Sequence, residues 1–320
     1  MDLDPRHEYG ESTAHYGPEL LERLTTDVVG RSRELESIVA ALAAGRHLLL
    51  EGPPGTGKST VLRAIAQHVG GGFEFVEGNA ELTPARLTGT FDPAAVLNEG
   101  YGPSTFVDGP LVTALRDGGL LYVEELNRVP EETLNVLITV MSEGELHVPR
   151  LGRIEAAPGF RLVAAMNPFD AVGTARIAGA VYDRCCRLAM TYQDAQDEIR
   201  IVTRAAPLAV AAIGESGTAA AVAMVRDSRE HPDVRTGSSV RGAIDLAMVV
   251  HELAGLRERP TNDPGVTLDA AMLALSGRIR LRDGSGRSIE DVVTELWRRH
   301  FGPAGNDPAD TGAGDGGGKV

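Results

Sequence analysis

The stretch GPPGTGKST at residues 52–60 constrains the fold of this chain more than any other. A short apolar run, HLLL, precedes it, and the helix-like segment STVLRAIAQHV overlaps its end. Its glycines let the backbone turn so that several N–H groups point inward, while the helix directs the positive end of its dipole to the same place. We therefore predict a phosphate-binding loop between a strand and a helix, and favour it over a glycine-rich turn that merely joins them.

The residues of this loop have separate predicted tasks in nucleotide binding. Lys58 is expected to reach the β- and γ-phosphates, and the hydroxyl of Ser59 is expected to ligate Mg²⁺. The phosphate cradle does not read the base, so this pattern alone leaves ATP and GTP open. The predicted cradle comprises Gly52, Pro53, Pro54, Gly55, Thr56, Gly57, Lys58, Ser59 and Thr60.

Strand and helix patterns alternate along the first 190 or so residues. The apolar runs predicted as strands lie at residues 47–50, 73–76, 120–123, 161–166 and 185–190. Strands that alternate with helices predict an α/β fold with a parallel sheet covered by helices on both faces. Beyond about Tyr192 alanine-rich helical patterns replace the strands, which predicts a smaller all-α domain.

Changes in composition divide the chain into four predicted segments. The last segment is dominated by Gly, Pro, Ala and Asp and cannot bury a core, so we expect it to be disordered. The segments are a polar N-terminal lead-in at 1–24, an α/β nucleotide-binding domain at 25–192, a helical domain at 193–301 and a disordered tail at 302–320.

Two adjacent carboxylates follow the apolar run LLYV. Nucleotide hydrolysis needs a metal anchor and a group that activates water, both near the phosphates. Neighbouring side chains at a strand end point in opposite directions. We therefore assign Glu124 to the metal and Glu125 to the attacking water as general base, and a solvated acidic turn is the alternative.

Composition limits the partners and the location of the protein. A formal net charge of −14 argues against a broad surface for nucleic acid or for an anionic membrane. Cys185 and Cys186 lie in an apolar run and are expected to be small buried hydrophobes. The N-terminal residues lack the pattern of a signal peptide and no apolar run approaches the roughly 20 residues of a membrane helix, so we expect a cytoplasmic protein. His147 has no companion at metal-ligand spacing, which argues against zinc.

Three motifs together resemble those of the AAA+ ATPases, most closely the MoxR branch. They are the phosphate loop, the segment EELNR at 124–128 and AAMNP at 164–168. The resemblance extends from about Val28 to about Val250. Members of the family that share most of these residues act in carboxylase activation, nitric-oxide reductase maturation and gas-vesicle assembly. The branch usually has Asp-Glu-Ile-Asn-Arg at the strand end, so Glu124 is a departure whose extra methylene brings the carboxylate about one bond closer to the metal.

The resemblance implies roles for residues outside the loop. Val29 and Gly30, with Val28 before them, correspond to the segment that flanks the adenine. Asn167 corresponds to sensor 1, which helps to position water near the γ-phosphate, with an Asn-Pro turn as the alternative. Arg241 corresponds to sensor 2 on the helical domain, with a solvated arginine as the alternative.

Arg184 resembles the arginine finger that one AAA+ subunit offers to the nucleotide of the next. A guanidinium suits that role because it stays charged and can hold phosphate oxygens with two parallel hydrogen bonds. Arg187 and Arg176 are alternatives for the same role.

Two stretches resemble insertions of the same family. The first runs from Phe91 to Val107, contains Tyr101 and Phe106, and resembles the helix 2 insert that faces binding partners. The second, Glu145 to Ala156, resembles the hairpin before sensor 1. Surface hairpins without a contact role are the alternative for both.

The resemblance implies an ATPase that uses ATP and Mg²⁺ within a ring, expected to be a hexamer, to remodel or activate a client protein. A protein with a von Willebrand factor A domain is the expected partner. Two other hypotheses stay open. One is a nucleotide-gated scaffold with little hydrolysis, and the other, disfavoured by the acidic composition, is a nucleic-acid motor.

Overall fold

The computed structural model of the protein describes residues 16–69, 72–168 and 179–302. The chain divides into two compact units, with the boundary between Asp194 and Ala195. This boundary lies two residues after the one predicted from composition. The predicted tail, apart from Gly302, and the first 15 residues of the predicted lead-in lie outside the described residues.

The first unit contains helices α1 to α8 and strands β1 to β9, with two 3₁₀ turns at Pro103–Thr105 and Leu126–Arg128. The helices are α1 (Pro18–Asp27), α2 (Ser32–Ala43), α3 (Lys58–Val69), α4 (Pro84–Thr88), α5 (Pro93–Glu99), α6 (Pro110–Asp117), α7 (Glu131–Glu143) and α8 (Gly179–Tyr182). The strands are β1 (His47–Glu51), β2 (Phe73–Glu77), β3 (Gly89–Phe91), β4 (Phe106–Asp108), β5 (Leu120–Glu124), β6 (Glu145–Val148), β7 (Gly152–Glu155), β8 (Arg161–Met166) and β9 (Cys185–Ala189).

Five of these strands form one parallel sheet in the order β2-β5-β8-β1-β9. All five correspond to the apolar runs predicted as strands, so the predicted α/β fold is confirmed. Parallel neighbours have their carboxyl ends at the same edge of a sheet, and connections between them require crossovers. The edge at which β1, β5 and β8 end is therefore the place where side chains from distant parts of the sequence meet.

Successive side chains of the central strands lie on alternate faces of the sheet, so the core of the first unit forms two layers. On one face Leu48 and Leu50 pack with the buried residues of α1, α2 and α3. On the other face Leu49 packs with buried residues of α6 and α7. Because successive side chains of a strand point to opposite faces, a central strand of a covered sheet must be apolar throughout.

Helix α1 corrects the prediction of a loose lead-in up to residue 24. It begins at Pro18 and buries Leu20 and Leu24, which are four residues apart and therefore lie on one face of a helix. Both leucines pack into the layer that also contains Leu48. The polar composition of the preceding residues concealed this short apolar face.

The prediction for the cysteines is wrong in part. Cys186 is exposed and Cys185 is half-buried, and both are free thiols. Strand β9 is the outermost strand of the sheet. Other elements therefore do not cover all of its side chains, and some of them stay exposed. An apolar run alone does not distinguish an edge strand from a central one.

Both predicted hairpins are present. Strands β3 and β4 pair antiparallel, with α5 in the excursion between them, and β6 and β7 form a second antiparallel pair. Arg150, in the turn between β6 and β7, places its guanidinium 3.9 Å from the centre of the Tyr101 ring. This cation–π contact joins the two excursions. Their predicted roles in partner binding stay predictions.

The second unit consists of helices α9 (Ala195–Ala205), α10 (Pro207–Glu230), α11 (Val240–Arg257), α12 (Pro264–Leu275) and α13 (Ile289–His300). Its apolar core draws on all five helices. The short strands β10 (Val234–Thr236) and β11 (Arg280–Leu281) pair antiparallel. The unit is therefore helical as expected, with one small two-stranded ribbon that the sequence did not reveal.

One helix of the described residues, α10, is long and apolar enough by composition to cross a membrane. Gly214, with φ 74° and ψ 174°, interrupts its helical conformation near the start. Ala221 and Val225 of α10 are fully buried in the core of the second unit. A helix in the core of a soluble protein meets the same criterion, so this indication of a membrane span is weak.

Candidate nucleotide-binding site

The predicted residues of the phosphate loop, Glu124 and Asn167 lie where the sheet topology brings three strand ends together. Strands β5, β8 and β1 are consecutive neighbours, and the phosphate loop follows β1 directly. Glu124 ends β5, and Asn167 follows the last residue of β8. The crevice at the carboxyl ends of parallel strands is the usual ligand site of such sheets.

Close backbone contacts shape the phosphate loop. The N–H of Gly52 donates to the carbonyl of Met166 at 3.2 Å, which fastens the loop to the end of β8. A Cβ atom on Gly52 would lie 2.1 Å from the carbonyl oxygen of Met190, so a larger residue does not fit there. Gly57 has φ +87°, a conformation that side chains disfavour.

Lys58 is the first residue of α3, and its side chain turns back over the loop. Its Nζ donates to the carbonyl oxygens of Gly52 at 2.8 Å and Pro53 at 3.0 Å. The side chain is buried, so the loop holds a desolvated positive charge against its own carbonyl groups. A buried ammonium at a helix N-terminus favours an anionic ligand.

The two predicted magnesium ligands contact each other. The Ser59 hydroxyl donates a hydrogen bond to Oε1 of Glu124. A hydroxyl and a carboxylate are hard oxygen ligands of the kind that Mg²⁺ prefers, and this pair fits a magnesium ion that takes its remaining ligands from phosphate and water. No cluster of three or more His, Cys, Asp or Glu that could hold a metal occurs in the described ranges.

Tyr122 contributes to this region, and the sequence analysis did not identify it. It lies two residues before Glu124 on β5, so both side chains face the same side of the sheet. Its ring is fully buried, and its hydroxyl lies near Ser59 and Glu124 without a hydrogen bond of normal geometry. Burial raises the pKa of Tyr122 above its usual value, which keeps the hydroxyl protonated.

Glu125 has an uncommon backbone conformation and an incompletely paired carboxylate. Its φ is 52°, in the left-handed region that residues other than glycine seldom adopt. Oε2 lies 3.4 Å from Nε of Arg128, but it is buried and accepts no hydrogen bond. The underused carboxylate oxygen, one residue after Glu124, is available to a water molecule.

Asn127, in the 3₁₀ turn after Glu125, is a second polar group in this segment without partners. It is 6% exposed, and neither its amide nitrogen nor its amide oxygen forms a hydrogen bond. Buried polar atoms normally have partners, so a side chain that lacks both is costly and indicates a ligand or a function. Asn127 belongs to the motif EELNR, but no local pattern in the sequence indicates a task for it.

Arg184 lies at the amino edge of the sheet, where the strands begin, whereas the phosphate loop follows the carboxyl end of β1. Arg184 precedes β9, whose first residue is level with His47 at the start of β1. Four residues of strand, about 13 Å, separate that level from the end of β1. Its Nε donates to the Ser142 hydroxyl and its Nη1 to the carbonyl of Ala180 at 2.8 Å.

The alternatives to Arg184 differ from it in their surroundings. Arg187 pairs with Glu51, a carboxylate only 4% exposed, at 2.5 Å, and the Tyr182 hydroxyl donates to the other oxygen at 2.8 Å. Arg187 therefore neutralises a buried charge within its own chain. Arg176 lies outside the described residues.

The remaining predicted contacts flank the loop or belong to the second unit. The carbonyl of Val29 accepts a hydrogen bond from the side-chain amide of Gln193, and Gly30 has a positive φ of 67°. Arg241 is exposed on the first turn of α11. Its predicted contact with nucleotide stays a prediction.

Comparison with known proteins agrees with this geometry. The family model described as AAA domain (dynein-related subfamily) matches residues 47–185, from the start of β1 to the start of β9. This part of the chain matches an AAA domain. The AAA+ resemblance noted in the sequence is therefore confirmed, and nucleotide binding is the property that this family implies.

Two curated relatives align with most of this chain. YeaC of Bacillus subtilis, an uncharacterized protein, is 26% identical over 302 residues, which cover 86% of this chain and 91% of the relative. Gas vesicle ATPase GvpN2 of Halobacterium salinarum is 28% identical over 291 residues, covering 85% of this chain and 79% of the relative. A mutant of Thermotoga maritima RuvB is similar in structure, with a TM-score of 0.50 at 20% identity, over 79% of this chain and 70% of that one. This last similarity is one of fold.

Proposed function

We propose that the protein is a MoxR-like AAA+ ATPase that binds ATP with Mg²⁺, hydrolyses it within a ring assembly and uses the cycle to remodel or activate a client protein. One observation carries the proposal. The Ser59 hydroxyl and the Glu124 carboxylate meet beside a loop that already holds the buried ammonium of Lys58. This is the set of charges that a magnesium–triphosphate requires.

The residues of the chain divide the chemistry between binding and water activation. N–H groups of the loop and Lys58 hold the phosphates, while Ser59 and Glu124 hold magnesium. Magnesium, when bound, neutralises charge that develops on the β- and γ-oxygens. Glu125 accepts a proton from the attacking water through its underused oxygen, and Asn167, just after β8, orients that water.

Arg184 supports the proposal of an assembly. Its position at the far edge of the sheet keeps it away from the nucleotide of its own chain, so its guanidinium is available to a neighbouring copy. In this arrangement each site is complete only when two subunits meet, with Arg241 of the second unit as a further contact. A ring, and by family resemblance a hexamer, satisfies this requirement for every site.

The proposed partner rests on the family resemblance noted in the sequence. We propose a client that is acted on together with a von Willebrand factor A domain protein, and a cytoplasmic location. The name of the gas vesicle relative supports an ATPase activity. Co-expression with a von Willebrand factor A domain protein encoded beside this gene, followed by purification on either partner, tests the pairing.

Titration and turnover assays test the core of the proposal. Labelled ATP should bind with an affinity that falls when EDTA removes Mg²⁺, and turnover per chain should rise with protein concentration as rings form. Glu125→Gln serves as the blank for turnover. Absence of magnesium-dependent binding, or turnover equal to that of the blank, would contradict the proposal.

A nucleotide-gated scaffold is the second candidate, and Glu124 favours it. The longer carboxylate accepts a hydrogen bond from the Ser59 hydroxyl without a magnesium ion, so this pair holds the site together before any metal binds. The scaffold predicts that ATP changes the oligomeric state while wild type and Glu125→Gln show equal turnover. Sedimentation with and without ATP, measured on both variants, separates the two candidates.

A further inference from the structure

Arg31 is a buried cation that the proposed chemistry does not use. It is 3% exposed and lies between Gly30 and the first residue of α2. Its Nη1 pairs with Oε1 of Glu34 at 2.6 Å. Arginine is seldom fully buried unless its guanidinium is paired. The contacts of Arg31 therefore indicate its role.

The other terminal nitrogen of Arg31 holds two backbone carbonyls. Nη2 donates to Thr56 in the phosphate loop at 2.8 Å and to Thr191 after β9 at 2.5 Å. The guanidinium is planar and keeps its charge, so the ion pair with Glu34 fixes the direction of the nitrogen that faces the loop. One anchor three residues away and two that are 25 and 160 residues away therefore restrain one side chain.

The contact with Thr56 fixes one peptide group of the loop. The carbonyl of Thr56 and the N–H of Gly57 belong to the same planar trans peptide, in which the two groups point in opposite directions. Because the carbonyl points to Arg31, the N–H of Gly57 points away from it. The positive φ of Gly57 makes rotation of this peptide easy in the absence of a restraint.

We propose that Arg31 is a positioning residue, which clamps the Thr56 carbonyl so that the Gly57 N–H is preorganised to bind a phosphate. Without the clamp, the peptide could turn its carbonyl toward the anion, and the ligand would have to reorder the loop. The second contact, with Thr191, ties this peptide to the segment that leads out of the first unit. The inference rests on the proposed nucleotide site, but it does not require hydrolysis.

Binding measurements on the full chain test the role of Arg31. Arg31→Lys keeps the charge but loses the planar fork, so it cannot hold both carbonyls and Glu34. We expect its affinity for tripolyphosphate and for Mg-ATP to fall about 10- to 100-fold, the effect of losing a hydrogen bond to a charged group in a buried site. Adenosine, which needs no phosphate contact, should bind both proteins equally.

Arg33→Lys is the matched control because it makes the same chemical change on an exposed residue of α2. It should bind all three ligands within twofold of wild type. Glu34→Gln removes the ion pair while Arg31 stays, and we expect a loss of about 2- to 5-fold in tripolyphosphate affinity.

The outcomes separate this inference from the proposed function. If wild type binds neither Mg-ATP nor tripolyphosphate, the proposed function fails. If wild type binds both and Arg31→Lys binds them equally well, Arg31 has no positioning role. A loss by Arg31→Lys that extends to adenosine would also overturn the inference. If Arg31→Lys does not fold, Glu34→Gln decides, and an unchanged affinity in that variant overturns it.

Discussion

Polar side chains differ in their hydrogen bonding between the carboxyl edge of the parallel sheet, where the strands end, and the amino edge, where they begin. At the carboxyl edge Glu125 and Asn127 keep buried atoms without hydrogen bonds. At the amino edge the Nδ1 of His47 accepts the N–H of Leu162 at 2.9 Å, and the His47 ring packs edge-on against Phe160. Burial, assisted by the charges of Arg161 and Arg46, lowers the pKa of His47 to about 4, so the ring is neutral near pH 7.

This contrast indicates what each edge contributes. Unpaired buried polar atoms cost free energy, so a site that retains them gives up stability for a ligand to be bound later. At the amino edge the His47 acceptor is used and its ring is neutral, so His47 contributes to stability and not to the site of its own chain. Changes at the carboxyl edge should therefore affect binding and turnover, whereas changes at His47 should affect folding.

The largest effect is expected for Arg184→Ala, the variant that most directly tests whether the amino edge also serves a neighbouring site. Turnover in the assembled state should fall by about 10³- to 10⁵-fold, while nucleotide affinity stays close to that of wild type. Steady-state turnover at high protein concentration and titration with labelled ATP measure the two quantities. Survival of turnover would transfer the role to Arg187 or Arg176.

Glu125→Gln should give the next largest effect. The amide cannot take a proton from water, so turnover should fall about 10²- to 10⁴-fold, while Mg-ATP still binds. Glu124→Gln is the matched control, since it should weaken magnesium-dependent binding instead. If both variants lost binding equally, the division of tasks between the two carboxylates would be wrong.

His47 should produce a pH dependence of stability and none of binding. Its folded pKa of about 4 lies below the ordinary value of 6.5, so the unfolded chain takes up the proton first as pH falls. The free energy of unfolding should therefore decrease by about 3 kcal/mol between pH 6.5 and pH 4. His47→Asn, which can still accept the Leu162 N–H, should lack this component in urea unfolding at each pH. Parallel curves for both proteins would contradict the assignment.

Two tyrosines should give the smallest effects and differ from each other. Tyr122→Phe removes a buried hydroxyl without a hydrogen bond, so the free energy of unfolding should change by less than about 1 kcal/mol. Tyr182→Phe removes a donor to the buried Glu51 carboxylate and should cost about 1 to 2 kcal/mol. Urea unfolding of the two variants measures the difference, and equal costs would show that the Tyr122 hydroxyl has a partner in solution.

The sequence predicted the local structure of the site well and its long-range contacts poorly. The five strands and the helix after the phosphate loop occur where hydrophobic periodicity placed them, because that periodicity depends on neighbouring residues. Arg31 resembled any solvated arginine before a helix, since no local pattern indicates that it is buried. Cys186 was misjudged for a related reason, because only the strand order reveals that β9 is an edge.

By itself, then, the sequence determined a phosphate loop between a strand and a helix, a parallel sheet, and a pair of carboxylates at a strand end. The tertiary structure alone decided the geometry at which these groups meet, and it added Arg31, which no local pattern indicated. Ser59 and Glu124 are 65 residues apart in the chain, and Arg31 and Thr191 are 160 apart. Such pairs depend on the order of strands in the sheet, which follows from the packing of the whole unit and leaves no trace in the residues near either partner.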